Sequence, residues 1–345
     1  MRLPTTFVLL LLAASPGSAE SIRIAAVGDI MLGTDYPVNR LPGDDGRGYL
    51  QEVAGVLRAA DLAIGNLEGV LLAGGTPRKT CETASVCFLF RSPPRYGELL
   101  KAAGFDALSL ANNHARDFGE AGRTYTMDVL DRLGILHSGR RGDIASFMLA
   151  GLRVAFIAFS PTRESYLLND IPTAVDHVAR LSASHDLVIV SFHGGAEGRD
   201  ALTLPFEEEF YFGETRGEVV RFARSVIDAG ADLVIGHGPH VPRALELYKN
   251  RLVAYSLGNF ATNTGVSVAG EAGWAALLTV EIDEQGRFVA GQIHSALQER
   301  PASLGWDEQH QAARLIQKLT EDTFGPAMLV FDERGQFRAG RTVAR

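Results

Sequence analysis

Short apolar runs alternate with stretches of helical periodicity in the first two thirds of the chain, and apolar runs dominate the last third. Such runs predict strands, whereas apolar residues three or four positions apart predict amphipathic helices. The predicted strands are 22–27, 61–64, 107–110, 146–149, 153–159, 187–191, 233–235, 244–248, 252–255, 275–282, 288–294 and 327–331. The predicted helices are 49–60, 96–103, 120–133, 172–183, 218–229 and 309–320. This order predicts a mixed α/β fold, with one domain over 20–300 and a closing tail over 301–345.

Polar side chains recur at the carboxyl ends of the predicted strands, usually beside glycine. They are Asp29, Glu68, Asn113 with His114, His193 with Glu197, His237 with His240, and Asn259. Open α/β sheets bind ligands outside the carboxyl ends of their strands. Glycine lets the backbone turn sharply there and lets a ligand approach. The recurrence therefore predicts that these side chains form one site.

Carboxylates and neutral imidazoles suit a divalent ion such as Mn²⁺, Fe²⁺ or Zn²⁺. The set is large enough for one or two ions, since each needs about four protein ligands and one carboxylate can bridge. Packing does not easily explain His237 and His240 in Gly-His-Gly-Pro-His, and His193 is in a similar position. Taken alone, Asp29 could instead cap a turn, and Asn66 and Asn259 could be turn formers.

The remaining histidines do not follow strands in carboxylate-rich settings, so a structural role is expected for them: His137, His177, His185, His294 and His310. The stretch 28–33 lacks the spacing of a dinucleotide-binding loop, and the chain has no Gly-x-Ser-x-Gly motif and no Walker loop. The net charge of −8 argues against a nucleic-acid partner. An anionic substrate would need a local metal or arginine cluster.

The first nineteen residues have the pattern of a signal peptide. Arg2 is followed by an apolar stretch from Phe7 to Ala14 and by the small residues 17–19. We therefore expect a periplasmic or secreted protein, with an uncleaved membrane anchor as the less favoured alternative. In an exported protein Cys81 and Cys87 would most simply form a disulfide, and a metal pair is the rival interpretation.

Six motifs, taken in order, resemble the CapA-type proteins of poly-γ-glutamate capsule synthesis. They are Gly28-Asp29-Ile30-Met31-Leu32-Gly33; Asn66-Leu67-Glu68; Ala111-Asn112-Asn113-His114 with Asp117 and Gly119; His193-Gly194 with Glu197; Gly236-His237 with Pro239-His240-Val241; and Tyr255-Ser256-Leu257-Gly258-Asn259-Phe260. The resemblance covers about residues 22–300. That family is similar to the calcineurin-like metallophosphoesterases. The resemblance implies a two-sheet β-sandwich flanked by helices, with a site for two metals.

The same resemblance implies a role for each matching residue. Asp29 and His240 would bind the first metal, Glu68 would bridge, and the second metal would be held by Asn113, His193 and His237. His114, oriented by Asp117, would protonate a leaving group or stabilise developing negative charge. The remaining matching residues are expected to face the substrate: Asn66, Glu197 and Asn259.

The chain also departs from the metallophosphoesterase pattern. Met31 stands where a histidine ligand is usual, Glu68 replaces an aspartate, and Arg243 replaces an uncharged amide.

Three functions follow as alternatives. The leading one is an exported capsule-polymer protein with a metal-dependent hydrolase or transferase site, acting on an anionic polymer or a small molecule. The others are a non-catalytic assembly factor for a membrane synthase complex and a plain metallophosphoesterase.

Overall fold

A computed structural model describes residues 21–78, 88–301 and 303–340. The expected signal peptide and Cys81 and Cys87 lie outside these residues. The strands are β1 (Ile22–Met31), β2 (Leu62–Leu67), β3 (Val70–Leu71), β4 (Arg91–Ser92), β5 (Ala107–Ser109), β6 (Leu136–Ser138), β7 (Ala145–Leu149), β8 (Leu152–Ser160), β9 (Tyr166–Leu167), β10 (Leu187–His193), β11 (Glu209–Tyr211), β12 (Glu214–Gly217), β13 (Leu233–His237), β14 (Leu245–Tyr248), β15 (Arg251–Ala254), β16 (Asn259–Thr262), β17 (Trp274–Ile282), β18 (Phe288–Glu299), β19 (Ser303–Trp306), β20 (Leu329–Phe331) and β21 (Gln336–Ala339). The helices are α1 (Ala54–Arg58), α2 (Tyr96–Ala103), α3 (Gly119–Leu133), α4 (Ile171–Ser182), α5 (Val219–Asp228) and α6 (Gln311–Phe324).

Two mixed sheets carry most of the strands. The first sheet has the order β20-β21-β18-β17-β1-β2-β5-β6, with β16 also paired to β1 and β19 to β18. The second sheet has the order β14-β15-β13-β10-β8-β7, with β9 also paired to β8. Parallel pairing joins β1, β2, β5 and β6 in one sheet and β8, β10, β13 and β15 in the other. The carboxyl ends of the parallel strands in each sheet therefore lie at one edge of that sheet.

Strand alternation divides the apolar residues into three layers. Ile24 and Ala26 of β1 lie in the core between the sheets with Val154 and Ile189 of the second sheet. The intervening Ala25 and Val27 lie in a second core with residues of α1, α2 and α3. A third core joins the outer face of the second sheet to α4 and α5. The expected two-sheet sandwich flanked by helices is therefore confirmed.

The observed elements differ from the predicted ones mainly in short segments. The predicted helix 49–60 is reduced to α1, because residues 44–53 form successive turns. The Asp44 carboxylate stabilises the first of these turns by accepting hydrogen bonds from the backbone N–H groups of Gly46 and Gly48 at 3.0 and 2.7 Å. Such local bonds compete with helix formation. The tail contributes β19, β20 and β21 to the first sheet. In the described ranges, no helix is both long and apolar enough to span a membrane.

Candidate metal centre

Side chains from both sheets meet at the carboxyl ends of the parallel strands. Asp29 of β1 lies in register with Asn66 of β2 and Asn259 of β16, and His193 of β10 lies in register with His237 of β13. Two contacts link the sheets. Asn66 Nδ2 lies 3.4 Å from His193 Nδ1, and His237 Nδ1 lies 3.7 Å from Asp29 Oδ1. Residues far apart in sequence are thus joined in one buried cluster.

Asp29, Glu68 and His240 form the most compact part of this cluster. Each offers one ligand atom, and these atoms lie within 4.8 Å of one another. His240 Nδ1 is 3.0 Å from both Asp29 Oδ2 and Asn259 Oδ1, so a proton on this nitrogen can be shared between the two acceptors. His240 Nε2 faces Glu68 Oε1 at 3.7 Å. The lone pair on Nε2 is then available to a metal beside Glu68.

The backbone around the cluster is unusually tight. The Asp29 N–H donates to the carbonyl of Gly258 at 2.9 Å. A Cβ at Gly28 would lie 1.9 Å from that same oxygen, so only glycine fits before Asp29. His240 has a φ of 59°, a left-handed conformation that is rare for residues other than glycine. Local strain of this kind is concentrated at functional sites.

The donor atoms fit a divalent cation. Several buried polar atoms have no hydrogen-bond partner within the described parts of the chain: Glu68 Oε1 and Oε2, Asn113 Oδ1, His193 Nε2 and His237 Nδ1. Buried polar atoms are nearly always hydrogen-bonded, so a group of unpaired ones calls for a bound ion or water. Oxygen and imidazole donors together match Mn²⁺, Fe²⁺ or Zn²⁺.

The electrostatics of the cluster favour added positive charge. Burial raises the pKa of Glu68 to about 8, even though His240 opposes the rise. Burial also lowers the pKa of His237 to about 4 and holds the pKa of His193 well below its ordinary value. The two imidazoles are therefore neutral at pH 7, as metal ligands must be. A cation would stabilise the Glu68 carboxylate, whose charged form is otherwise disfavoured.

Asp29 and His240 behave as a hydrogen-bonded ion pair in the absence of metal. Burial alone would raise the pKa of Asp29, but the hydrogen bond and charge of His240, with smaller contributions from His193 and His237, together outweigh burial and hold that pKa well below the ordinary value. Burial likewise opposes the charge on His240, yet Glu68 and Asp29 raise its pKa to about 10. A metal would have to displace a proton from His240, so its binding is expected to weaken in acid.

His114 and Asp117 lie beside the centre in the predicted arrangement. His114 Nδ1 is 2.8 Å from Asp117 Oδ2, and His114 Nε2 lies 4.0 Å from Glu68 Oε1. Asp117 Oδ2 also accepts the Phe90 N–H at 2.8 Å, and the Phe90 ring stacks on His114 with centroids 4.2 Å apart. These contacts fix the imidazole with Nε2 toward the carboxylates. No sequence signal points to Phe90, because it lies far from His114 along the chain.

The amides that were expected to face a substrate also hold the ligands in place. Asn66 donates to Asp29 Oδ1 at 2.8 Å, and its own oxygen accepts from Asn112 at 3.0 Å. Asn259 donates to the backbone carbonyl of His240 at 3.1 Å. Such supporting hydrogen bonds orient metal ligands. Direct contact of Asn66 and Asn259 with a substrate stays a prediction, and Asn112 is a supporting residue that the sequence analysis missed.

A cavity of about 630 Å³ opens from the centre. Asn113, His114, Glu197 and His240 lie in its wall. The hairpin formed by β11 and β12 adds Tyr211, Phe212 and Arg216, and the wall also includes Phe88, Phe90 and Arg199. The sequence pattern predicts only a long loop where this hairpin lies. The cavity gives a substrate access to His114 and to two of the candidate ligands, Asn113 and His240.

The structure accounts for Arg243. Its buried guanidinium pairs with Glu209 at 2.7 Å and also donates to the carbonyls of Ala196 and Ala201. Arg243 lies three residues after His240 in the sequence. It therefore anchors the loop that carries Glu197. Met31, by contrast, is buried at the end of β1 and offers neither oxygen nor nitrogen to an ion. Asp29, Glu68 and His240 thus lack a fourth protein ligand at that position.

The fold and this cluster define an α/β sandwich protein with a candidate divalent-metal centre. The family model for the bacterial capsule synthesis protein PGA_cap matches residues 23–264, and the chain belongs to that family. It is 27% identical to the capsule biosynthesis protein CapA of Bacillus anthracis, over 88% of this chain and 74% of that protein. It is also 27% identical to the PGA biosynthesis protein CapA of Bacillus subtilis, over 94% of this chain and 87% of that protein.

Among solved structures, the chain is similar to a 5'-nucleotidase precursor from Thermus thermophilus. The TM-score is 0.42 at 14% identity, and the match covers 87% of this chain and 58% of that one.

Proposed function

We propose that this protein acts in the synthesis or processing of an anionic capsule polymer such as poly-γ-glutamate, through a metal-dependent hydrolase or transferase site. The observation that carries the proposal is the set of buried donors without partners in the described residues, next to a cavity whose wall includes Asn113 and His240. Membership of the capsule synthesis family supports the polymer context. The names of the two relatives agree with it.

Asp29, Glu68, Asn113, His193, His237 and His240 would hold one or two divalent ions. A bound divalent ion polarises a carbonyl or phosphoryl oxygen and lowers the pKa of a bound water. His114 lines the cavity, and its Nε2 can donate a proton to the leaving amine or alcohol as the bond breaks. Asp117 accepts from Nδ1, so it holds the ring in position and stabilises the imidazolium that gives up this proton.

The proposed place of action is outside the cytoplasmic membrane. The charged, apolar and small-residue segments of 1–19 support export through a cleaved signal peptide. An uncleaved anchor would leave the same domain on the outer face of that membrane. Mass determination of the protein recovered from its host distinguishes the two, because cleavage near residue 19 removes the whole apolar segment.

A second candidate function is favoured by Met31. The side chain at this position offers no donor, which weakens the centre, and a protein that binds no metal would serve as an assembly factor for a membrane synthase complex. In that case variants of Asp29 or His114 would fold and still complement a deletion. The third alternative, a plain metallophosphoesterase, predicts turnover of simple phosphodiesters with Mn²⁺.

The deciding experiment measures metal content by mass spectrometry on protein from residue 20 onward, purified without chelator. We expect near-stoichiometric divalent metal in the wild type and almost none in the double variant His193→Ala/His237→Ala. His185→Ala, between α4 and β10 and outside the donor cluster, is the matched control and should retain the metal. A folded wild type without metal would contradict the metal-dependent proposal.

Catalysis is tested separately from binding. His114→Gln should keep the metal and lose complementation of a deletion strain, since the ring that carries the proton is gone. Complementation by a metal-loaded His114→Gln protein at normal abundance would favour the assembly factor.

A further inference from the structure

A second polar group faces the same cavity, and neither the motifs nor the donor cluster account for it. Arg216 of β12 is 5% exposed and lies in the wall with Asn113, His114 and His240. Arginine is rarely buried without an ionic partner or a ligand. The position of Arg216 therefore has to be explained by its contacts.

The contacts of Arg216 leave part of its guanidinium unused. Nη2 pairs with Glu197 Oε1 at 2.9 Å and lies 3.6 Å from Glu214 Oε2. The guanidinium carbon lies 5.5 Å from the centre of the Tyr211 ring. Nε is buried and has no hydrogen-bond partner among the residues that the structure describes. A buried donor of this kind is costly unless a ligand or water completes it.

Glu197 connects this arginine to the metal centre. Its Oε1 pairs with Arg216, and its Oε2 lies 3.9 Å from His240 Nε2. The Glu197 carboxylate thus lies between Arg216 and His240, so an anion bound by Arg216 would lie in the same cavity wall as the centre. Charged acceptors make stronger bonds to a guanidinium than neutral ones do.

We propose that Arg216 forms an anion subsite, so that the protein selects substrates with a second carboxylate or phosphate group near the group held at the metal centre. This proposal rests on the proposed function, because it takes the donor cluster as the point at which the first group binds. A γ-linked or other polyanionic chain meets the requirement, and so does a small molecule with two anionic groups. A substrate with one anionic group does not.

Calorimetric titration with paired probes tests the subsite. Glutarate and butyrate differ by one carboxylate, and pyrophosphate and phosphate differ by one phosphate group. The wild type should bind the probe with two groups at least tenfold more tightly than its partner, in one pair or both. A preference in only one pair identifies the anion as carboxylate or phosphate, and no preference in either pair overturns the proposal.

Variants then tie the preference to Arg216. Arg216→Gln should abolish the preference for the probe with two anionic groups. Arg216→Lys should reduce that preference at least fivefold, because lysine keeps the charge but has no donor at the Nε position. Arg199→Gln is the control, since Arg199 lines the same cavity but is exposed and paired with Glu271. It should change the preference less than threefold. A full preference in Arg216→Lys, or in a folded Arg216→Gln, would overturn the subsite.

The same titrations are made with and without chelator, and the metal content is measured on each sample. Absence of metal in the wild type contradicts the proposed function. If the preference for two anionic groups depends on Arg216 and persists in chelator, the subsite is still supported. If the wild type holds no metal and the Arg216 variants keep the wild-type preference in both conditions, the proposed function and the subsite are both contradicted. Thermal melting of every variant confirms that the compared proteins are folded.

Discussion

Two clusters of histidine and carboxylate in the described residues can be compared, and only one of them is expected to bind metal. At the candidate centre, His193 Nε2, His237 Nδ1 and both Glu68 oxygens have no hydrogen-bond partner in the described chain. In the other cluster, His137 of β6 lies 2.9 Å from Asp143 through Nδ1 and 3.1 Å from Asp131 through Nε2. The residue types are the same in both, so composition alone does not separate the two clusters.

The difference lies in whether the polar atoms are satisfied. Both ring nitrogens of His137 have a partner, so the imidazole can carry a proton between two carboxylates. Burial opposes this charge, but Asp143 and Asp131 outweigh burial and raise the pKa of His137. At the centre burial dominates instead, and the pKa of His237 falls to about 4. An imidazole with one unpaired nitrogen beside carboxylates is prepared for a cation, whereas an imidazole with both nitrogens paired, as in His137, is a structural bridge.

The largest difference in metal binding is expected between two variants that each lose one carboxylate, one variant for each cluster. Glu68→Ala removes a donor shared by the compact trio, so we expect metal affinity to fall more than a hundredfold. Asp143→Asn removes a carboxylate of the satisfied cluster and should leave the metal content within error of the wild type. Metal content by mass spectrometry and affinity by competition with a chromophoric chelator measure both variants. Equal losses in the two variants would show that the comparison is misplaced.

A smaller effect is expected from a residue that supports the ligands without binding the ion. Asn259 holds His240 through its side-chain oxygen and through the backbone carbonyl of that histidine. Asn259→Ala should weaken metal binding about 10- to 100-fold, the usual range for partners of metal ligands. Asn39→Ala, at an exposed turn, serves as the control. Unchanged affinity in Asn259→Ala would place His240 outside the metal's ligands.

The sequence predicted the donors better than it predicted their surroundings. Asp29, His193 and His237 each follow an apolar run that predicts a buried strand, and parallel strands bring such positions together. The supporting contacts could not be predicted in this way. Phe90 reaches His114, and Arg216 reaches Glu197, through folding of distant segments that have no period of their own.

The strands that the sequence analysis missed are mostly two to four residues long, such as β6, β9, β11 and β12. Alternation cannot be recognised over so few positions. Their pairing is also not visible in the sequence, since β6 pairs with the equally short β5, and β11 and β12 pair with each other. The hairpin of β11 and β12 matters most, because it carries Arg216 to the cavity. The buried pair between Glu209 and Arg243 ties the first residue of β11 to a segment 34 residues away.

A third effect concerns the stability of metal-free protein between pH 6.5 and 8. The folded-state pKa of Glu68, raised by burial to about 8, lies above its ordinary value of 4.5. The folded state therefore binds this proton more tightly, and stability is lost as the pH rises toward 8. The loss from Glu68 should be about 1–2 kcal/mol over this interval. His240, with its pKa raised to about 10, contributes a loss of the same sign.

Urea unfolding in chelator measures this loss. Glu68→Gln should reduce the loss, because a neutral amide no longer has to give up a proton. Glu284→Gln, at an exposed turn, should reproduce the wild-type slope. Added Mn²⁺ should remove most of the decline in the wild type, since a ligand that binds only the folded state stabilises it. A flat profile for metal-free wild type would contradict the assigned burial of Glu68.

The smallest effect belongs to the satisfied cluster. The pKa of His137 is raised in the folded state, so the stabilisation from its charge is complete below the ordinary value of 6.5 and is lost as the pH rises through the folded pKa. His137→Gln should cost about 1 kcal/mol at pH 5.5, because the Asp131 side chain is 68% exposed and solvent weakens that half of the bridge. The charge-dependent part of this cost should vanish at alkaline pH, and the metal content should be unchanged. Loss of metal in His137→Gln would mean that unpaired donor atoms do not distinguish a metal centre from a structural bridge in this fold.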